Sequence, residues 1–243
     1  MRRASGIAFG LVTHGLFACT VWHLFWFLKG AAVAHGGEPR WQAILADAAL
    51  ATAFAAPHSL LLVPAVRRRI VAAGVPGPLY GCFFCTISCL TLLATILSWR
   101  PIDLVVWRWP APLDACVSWG FAGSWIVLLW SLHLTGLGWQ TGLTPWWHWV
   151  RGGPQPRREF VERGPYRVLR HPVYLSFLGL IWFAPIVTLD RVVLMAVWTA
   201  YIFVGSVLKD RRLLHFIGDE YSRYQARVPG YPGIPFGPLA RIR

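Results

Sequence analysis

Six stretches of this chain are apolar over the length of a membrane crossing: residues 5–28, 43–66, 78–98, 115–137, 172–188 and 191–208. The hydrocarbon core of a bilayer is about 30 Å thick and takes about 20 helical residues to cross. Only Leu189 and Asp190 separate the last two stretches, and both are short, which predicts a tight helical hairpin with tilted or partly buried arms. Composition points the same way, since 56% of the 243 residues are hydrophobic and only 14% are charged, a balance that a soluble domain does not carry. The expected fold is all-α: a polytopic membrane protein with about six transmembrane helices.

Basic residues then set the orientation, because Lys and Arg accumulate in loops kept on the cytosolic side. Arg2, Arg3, Arg67 to Arg69, the six arginines from Arg151 to Arg170 and the seven basic residues from Lys209 to Arg243 fall on one side; Lys29, Arg40, Arg100, Arg108 and Arg191 fall on the other. With an even number of spans both termini are expected in the cytosol, in a multi-pass protein of a bacterial inner membrane. Orientation and attraction to anionic lipid account for the net charge of +13 without nucleic acid. The N-terminus admits a competing reading as a cleaved signal peptide ending at Ala32-Val33-Ala34, but its apolar stretch exceeds the usual h-region, and Trp22 and Trp26 suit interfacial anchors.

Cys19, Cys82, Cys85, Cys89 and Cys116 all lie in or beside predicted spans and imply no disulfide framework. Cys82, Cys85 and Cys89 share a helical face. They read either as a thiol or metal site or as small residues that let helices approach, and the second is preferred because no matching His or Cys pair is near in sequence. Gly136-Leu137-Gly138 lacks the third glycine and the strand-helix setting of a dinucleotide site, and reads as a helix end.

Composition divides the chain at residue 138. Residues 1–138 form an N-terminal four-helix membrane region, and 139–243 a second region made of a loop rich in Trp, Arg, Gly and Pro, the hairpin and a polar tail. Trp146, Trp147 and Trp149 read as a belt at the headgroup level, and the Pro- and Gly-rich tail from Gly230 to Arg243 as a loosely ordered surface segment.

Chemistry concentrates in the two stretches flanking the hairpin. One is Gly164-Pro165-Tyr166-Arg167-Val168-Leu169-Arg170-His171-Pro172-Val173-Tyr174. The other runs from Lys209 and Asp210 through Gly218, Tyr221 and Tyr224 to Arg227-Val228-Pro229. Antiparallel arms bring His171 and Asp210 to the same membrane face. Pro172 suits the first turn of a helix, so Arg170 and His171 precede a helix N-terminus whose spare donors and dipole favour an anion. Tyr174 lies one turn in, and Asp210 is an acceptor for ribose hydroxyls or an amine at the membrane boundary, where an unpaired charge is costly. Taken singly, each of these residues has an ordinary structural explanation, Asp210 as a partner of Arg211 or Arg167. Their joint placement makes Arg170, His171 and Asp210 the candidate catalytic residues.

From about residue 158 to 229 the chain resembles the integral-membrane methyltransferases that include isoprenylcysteine carboxyl methyltransferase, phospholipid N-methyltransferases and bacterial methanethiol S-methyltransferases. Gly-Pro-Tyr-Arg, Arg-His-Pro-x-Tyr, a charged pair and Gly-x-x-Tyr-x-x-Tyr-x-x-Arg-Val-Pro occur here in order. Upstream, His58-Ser59, Trp99-Arg100-Pro101-Ile102 and His133 to Gly138 are similar to the thiol methyltransferase branch and its nitric-oxide-regulon relatives. The resemblance implies an S-adenosylmethionine pocket lined by Arg158, Glu159, Phe160, Val161, Tyr166, His171, Pro172, Val173 and Tyr174 and closed by the Lys209-Asp210 pair, with Asp210 taking the cofactor contact. Lys209 stands where the family commonly has an acidic residue, and Ile217 where Phe is usual.

The implied reaction is an in-line displacement at a sulfonium methyl that needs no metal, with a small thiol, an isoprenylcysteine carboxylate or a lipid as acceptor. A water-poor pocket favours charge annihilation, and Arg163, Arg167 and Arg170 are expected to lower the pKa of a thiol. No dedicated base is evident, although His58 and His133 are candidates. Two other readings stay open: a haem- or quinone-linked subunit using His14, His23, His58 and His133, and a non-catalytic relative.

Overall fold

The computed structural model describes residues 3–30 and 40–242. Ala32-Val33-Ala34, Arg2 and Arg243 lie outside the described residues. In chain order the elements are α1 (Arg3–Lys29), α2 (Arg40–Leu61), α3 (Pro64–Ala72), α4 (Tyr80–Leu97), β1 (Val105–Arg108), α5 (Leu113–Leu134), α6 (Leu137–Gln140), α7 (Leu143–Arg151), α8 (Pro172–Trp182), β2 (Ile186–Thr188), α9 (Leu189–Ile217) and α10 (Asp219–Arg227). Among the described residues, α1, α2, Gly77–Leu97, α5 and α9 are long and apolar enough to cross a membrane, and α8 is a shorter apolar helix. The chain is an all-α polytopic membrane protein.

It divides into two compact units, Met1–Leu104 with Gly136–Glu159, and Val105–Thr135 with Phe160–Arg243. Helix α5 therefore belongs with the C-terminal region, ahead of the compositional boundary at residue 138.

In the first unit α1 and α2 pack on α4, and α7 packs on α1 and α4. The expected second span, 43–66, breaks after Leu61 and restarts with Pro64 at the head of α3, where proline suits a first turn. A side chain on Gly81 would lie 2.6 Å from Gly142 Cα, so glycine is required on both sides of that contact. Gly142 also adopts φ 81°, and Gly136 φ 77°, which end one helix and start the next. Beside them Cys82 is fully buried, with its thiol 3.6 Å from the Gly142 carbonyl, in keeping with cysteine as a small packing residue. Asp47 is buried in α2 and accepts from the Arg100 N–H at 3.0 Å, pinning the Trp99–Ile102 turn whose two end residues are buried.

Trp146 departs from the expected headgroup belt. Its indole is buried, donates from Nε1 to the Gly6 carbonyl at 2.9 Å and packs with Leu79 and Cys82. Gly10 makes the place, since a Cβ there would lie 2.1 Å from the ring. Trp147 stays exposed, with the Arg151 guanidinium 4.5 Å over it.

In the second unit α5 packs along α8, α8 on α9, and α9 against α10. Gly179 lets α8 lie tightly on α5, since a Cβ there would meet Ser124 Oγ at 2.1 Å. The expected helical arm 172–188 is shorter than predicted: α8 stops at Trp182, and residues 186–188 form β2, antiparallel to β1, with Trp107 opposite Val187 and Arg108 opposite Ile186. Pro185 explains the stop, because proline excludes the helix from its own position and from the residue before it. The β-branched Ile186, Val187 and Thr188 suit the strand that follows.

Candidate functional site

The site lies in the second unit where the start of α8, the C-terminal part of α9 and α10 meet. Gly164 begins the approach at φ 61°, where a Cβ would sit 2.5 Å from Leu134, and a turn of 3-10 helix over Gly164–Arg167 follows. His171 caps α8 with φ −121° and Pro172 occupies its first turn, leaving the amides of Val173 and Tyr174 without intrahelical acceptors.

The juxtaposition expected from the two arms is present. His171 Nε2 lies 3.1 Å from Asp210 Oδ1, and the Arg170 Nε and Nη2 donate to Asp210 Oδ2 at 3.2 and 3.0 Å. Asp210 thus pairs with Arg170, not with the exposed Arg167 or Arg211. The Tyr221 hydroxyl donates to Asp210 Oδ1. All four groups are removed from solvent: His171 is 0%, Tyr221 1%, Arg170 2% and Asp210 4% exposed. A buried ion pair holds only when its remaining donors and acceptors are satisfied, and here three donors converge on one carboxylate.

Burial pushes the His171 imidazole below its usual pKa; the Asp210 bond opposes this, and the Lys209 and Arg170 charges add to it. The ring is therefore held neutral. Its Nδ1 is buried and has no hydrogen-bond partner among the described residues. Burial also raises the Tyr221 hydroxyl, with the Asp210 charge second, and it raises Tyr224 and Tyr231. These phenols stay protonated as donors.

Helix α10 follows Gly218, whose φ of 71° turns the chain after α9. Its Tyr221 and Tyr224 share an inward face, and Phe160 sets its ring edge-on against both. Tyr224 donates to the Tyr166 carbonyl at 2.6 Å. Thus Phe160, Tyr166, Arg170, His171, Pro172, Tyr174 and Asp210 are tied into one neighbourhood; Val161 is half-buried, Val173 likewise, while Arg158 and Glu159 are exposed at the end of the first unit. Lys209 turns its ammonium 5.2 Å over the Tyr174 ring. Arg163 and Arg167 are exposed and Arg170 is buried, so the expected triple-arginine cluster does not form.

The Pro- and Gly-rich tail is the largest correction. Gly230, Tyr231, Leu239 and Ala240 are buried, and the Arg170 Nη1 donates to the carbonyls of Val228 at 2.7 Å and Ala240 at 3.0 Å. Tyr231 stacks 5.6 Å from His171 at 31°. A tail without helical or strand periodicity hides such packing; its signal is Gly230-Tyr231, a close-approach residue beside a large aromatic.

The other histidines lie elsewhere. His58 Nδ1 meets Ser88 Oγ at 3.1 Å, His14 Nδ1 and His23 Nδ1 meet their own helix at Gly10 O and Cys19 O, and His133 is exposed. A groove of about 490 Å³ runs between α5 and α8, lined by Gly120, Gly123, Ser124, Leu175, Ser176 and Trp182 among others, and it touches neither His171 nor Asp210.

No protein-family model matches the chain, and no solved structure matches it significantly. Curated relatives do. A methanethiol S-methyltransferase 1 of Bradyrhizobium diazoefficiens is 29% identical over 230 residues, spanning 90% of this chain and 79% of the relative. A methanethiol S-methyltransferase of a Pseudomonas species is 29% identical over 238 residues, 93% of this chain and 89% of the relative. Another from Mycobacterium tuberculosis is 25% identical over 234 residues, 94% and 96% of the two chains. The resemblance carried by the motifs thus extends over both units.

Proposed function

We propose that this chain, a relative of the methanethiol S-methyltransferases, is an integral-membrane enzyme that moves a methyl group from S-adenosylmethionine to a small thiol. One observation carries the reading: a wholly buried Arg170–Asp210–His171–Tyr221 network holds an imidazole with an unpartnered Nδ1 at the head of α8. The residues fit the donor's chemistry. First-turn amides of α8 suit its carboxylate, the buried Nδ1 suits a polar hydrogen of the amino acid or ribose, and the rings of Tyr166, Tyr174 and Tyr231 suit a sulfonium, as aromatic faces suit cations.

Once bound, the donor supplies a methyl carbon on positive sulfur; the acceptor sulfur forms its S–C bond as the old one breaks, the electron pair leaves on the donor sulfur, and the thiol proton goes to water. What the protein contributes is position and dryness, because charges that cancel in the transition state are poorly solvated apart in a buried site. The names of the relatives favour a thiol over a carboxylate or lipid amine. Charge asymmetry supports placing both termini and the site on the cytosolic face of a bacterial inner membrane.

The test is calorimetric binding of S-adenosylmethionine to the detergent-purified protein and to His171→Ala, followed by turnover with methanethiol, prenylcysteine and phosphatidylethanolamine. Saturable binding, weakened about tenfold or more by the substitution, with dimethyl sulfide as product, is the expected result. A wild-type protein that binds no donor in micelles or nanodiscs sinks the proposal.

A further inference from the structure

The Arg170 guanidinium has no hydrogen left for a ligand. Nε and Nη2 reach Asp210 Oδ2, Nη1 reaches the carbonyls of Gln225 (3.3 Å), Val228 (2.7 Å) and Ala240 (3.0 Å), and Nη2 also reaches Pro238 (3.0 Å). A guanidinium offers five N–H donors, and these six contacts engage all of them. Two acceptors, Pro238 and Ala240, belong to the tail after α10. That tail closes on the same place through its backbone: the Arg170 N–H donates to Pro229 at 2.9 Å, Gly230 to Leu239 at 2.8 Å, and Ile242 to Gln225 at 3.2 Å.

The tail delivers one side chain to the imidazole. Tyr231 is 3% exposed, lies 5.6 Å from the His171 ring, rests on Phe203 and shares a hydroxyl contact of 2.5 Å with Ser206 on α9. With Tyr174 at 5.5 Å, it flanks His171 with a second aromatic surface.

We propose that Arg170 is a positioning residue that does not touch the methyl donor: it fastens the C-terminal tail to the α8–α9 pair, and the tail's Tyr231 forms a wall of the donor site beside His171. The proposal rests on the methyltransferase reading and adds two assignments to it. Lysine cannot replace Arg170 in this role, since an ammonium is a point charge with three donors and no planar fork.

Two substitutions approach the fastening from opposite sides. Arg170→Lys keeps the charge opposite Asp210 and loses the fork. Gly230→Ala keeps every charged group but puts a Cβ 2.7 Å from Leu239 O and 3.2 Å from His171 Cδ2, forcing the tail away. In both variants, amide hydrogen exchange over residues 229–242 is expected to accelerate about tenfold or more. The Kd and KM for S-adenosylmethionine should rise about tenfold in both, and in Gly230→Ala kcat at saturating donor should stay within about threefold of wild type. A purely structural role lowers the active fraction, and with it kcat, without moving KM.

Loss of donor binding in Arg170→Lys with the tail still protected would mean that the guanidinium meets the donor itself, which overturns the proposal. A loosened tail with unchanged Kd and KM overturns the wall assigned to Tyr231. Should Arg170→Lys fail to fold, Gly230→Ala decides by the same readouts. Failure of the wild type to bind donor instead overturns the methyltransferase reading and the wall with it, while exchange in the variants still decides the fastening.

Discussion

Asp210 accepts from Arg170 on one oxygen and from Tyr221 on the other, with His171 beside it, all out of water. An isosteric amide breaks this arrangement twice. It removes the charge that compensates a buried guanidinium, and it turns an N–H₂ toward groups that are themselves donors. Asp210→Asn is therefore expected to destabilise the protein by about 3–5 kcal/mol, the cost of orphaning a buried charge. Tyr221→Phe, which removes one donor and leaves the pair intact, should cost about 1 kcal/mol. Chemical denaturation in micelles measures both; a destabilisation by Asp210→Asn no larger than that by Tyr221→Phe would show that the pair is not buried together. At this scale the sequence was informative where spacing is short. Arg170, His171 and Pro172 are adjacent, and a proline at a helix start fixes which way they face. It was silent on Asp210's partner, because the choice among Arg167, Arg170 and Arg211 depends on where the carbonyls that hold Arg170 lie, 55 to 70 residues away.

The long elements were legible because bilayer thickness leaves little choice: α1, α4 and α5 follow their apolar runs closely, whereas α9 runs on to Ile217, nine residues past the expected end at 208. Short elements were not. Pro185 and its β-branched neighbours mark the end of α8, yet hydropathy alone runs through them as one span. Trp146 misled for a related reason, since an indole suits either a headgroup belt or a core, and only its partner Gly10 decides. That pairing gives a measurable coupling. Gly10→Ala drives a methyl to 2.1 Å from the indole and should cost about 1–3 kcal/mol by overpacking. Trp146→Ala should cost about 3–5 kcal/mol through the cavity it leaves. Combined, the two should cost less than their sum, because the methyl then enters space that the indole vacated; a double-mutant cycle of melting free energies reports the coupling. Strict additivity would place the indole elsewhere.

Length matching across the second unit explains how a helix of eleven residues serves a membrane site. Helix α8 rises about 16 Å, residues 183–185 turn the chain, and the strand residues Ile186–Thr188 add about 10 Å. Together they approach the roughly 32 Å of helix from Leu189 to Asp210. His171 and Asp210 meet at one end, while the β1–β2 ribbon closes the other. The two ends differ in charge. Arg163, Arg167, Arg211, Arg212 and Arg223 accompany the site, whereas Arg108 and Arg191 accompany the ribbon, and the proposed orientation puts the denser basic end in the cytosol. A membrane-impermeant maleimide applied to intact cells should therefore label Arg108→Cys in a background where the exposed Cys19 and Cys116 are serine. Arg163→Cys and Arg223→Cys should react only after permeabilisation. Labelling of Arg163→Cys from outside would invert the protein and put the site on the face where a cytosolic methyl donor cannot reach it, so this experiment tests the orientation and the supply of the proposed reaction together.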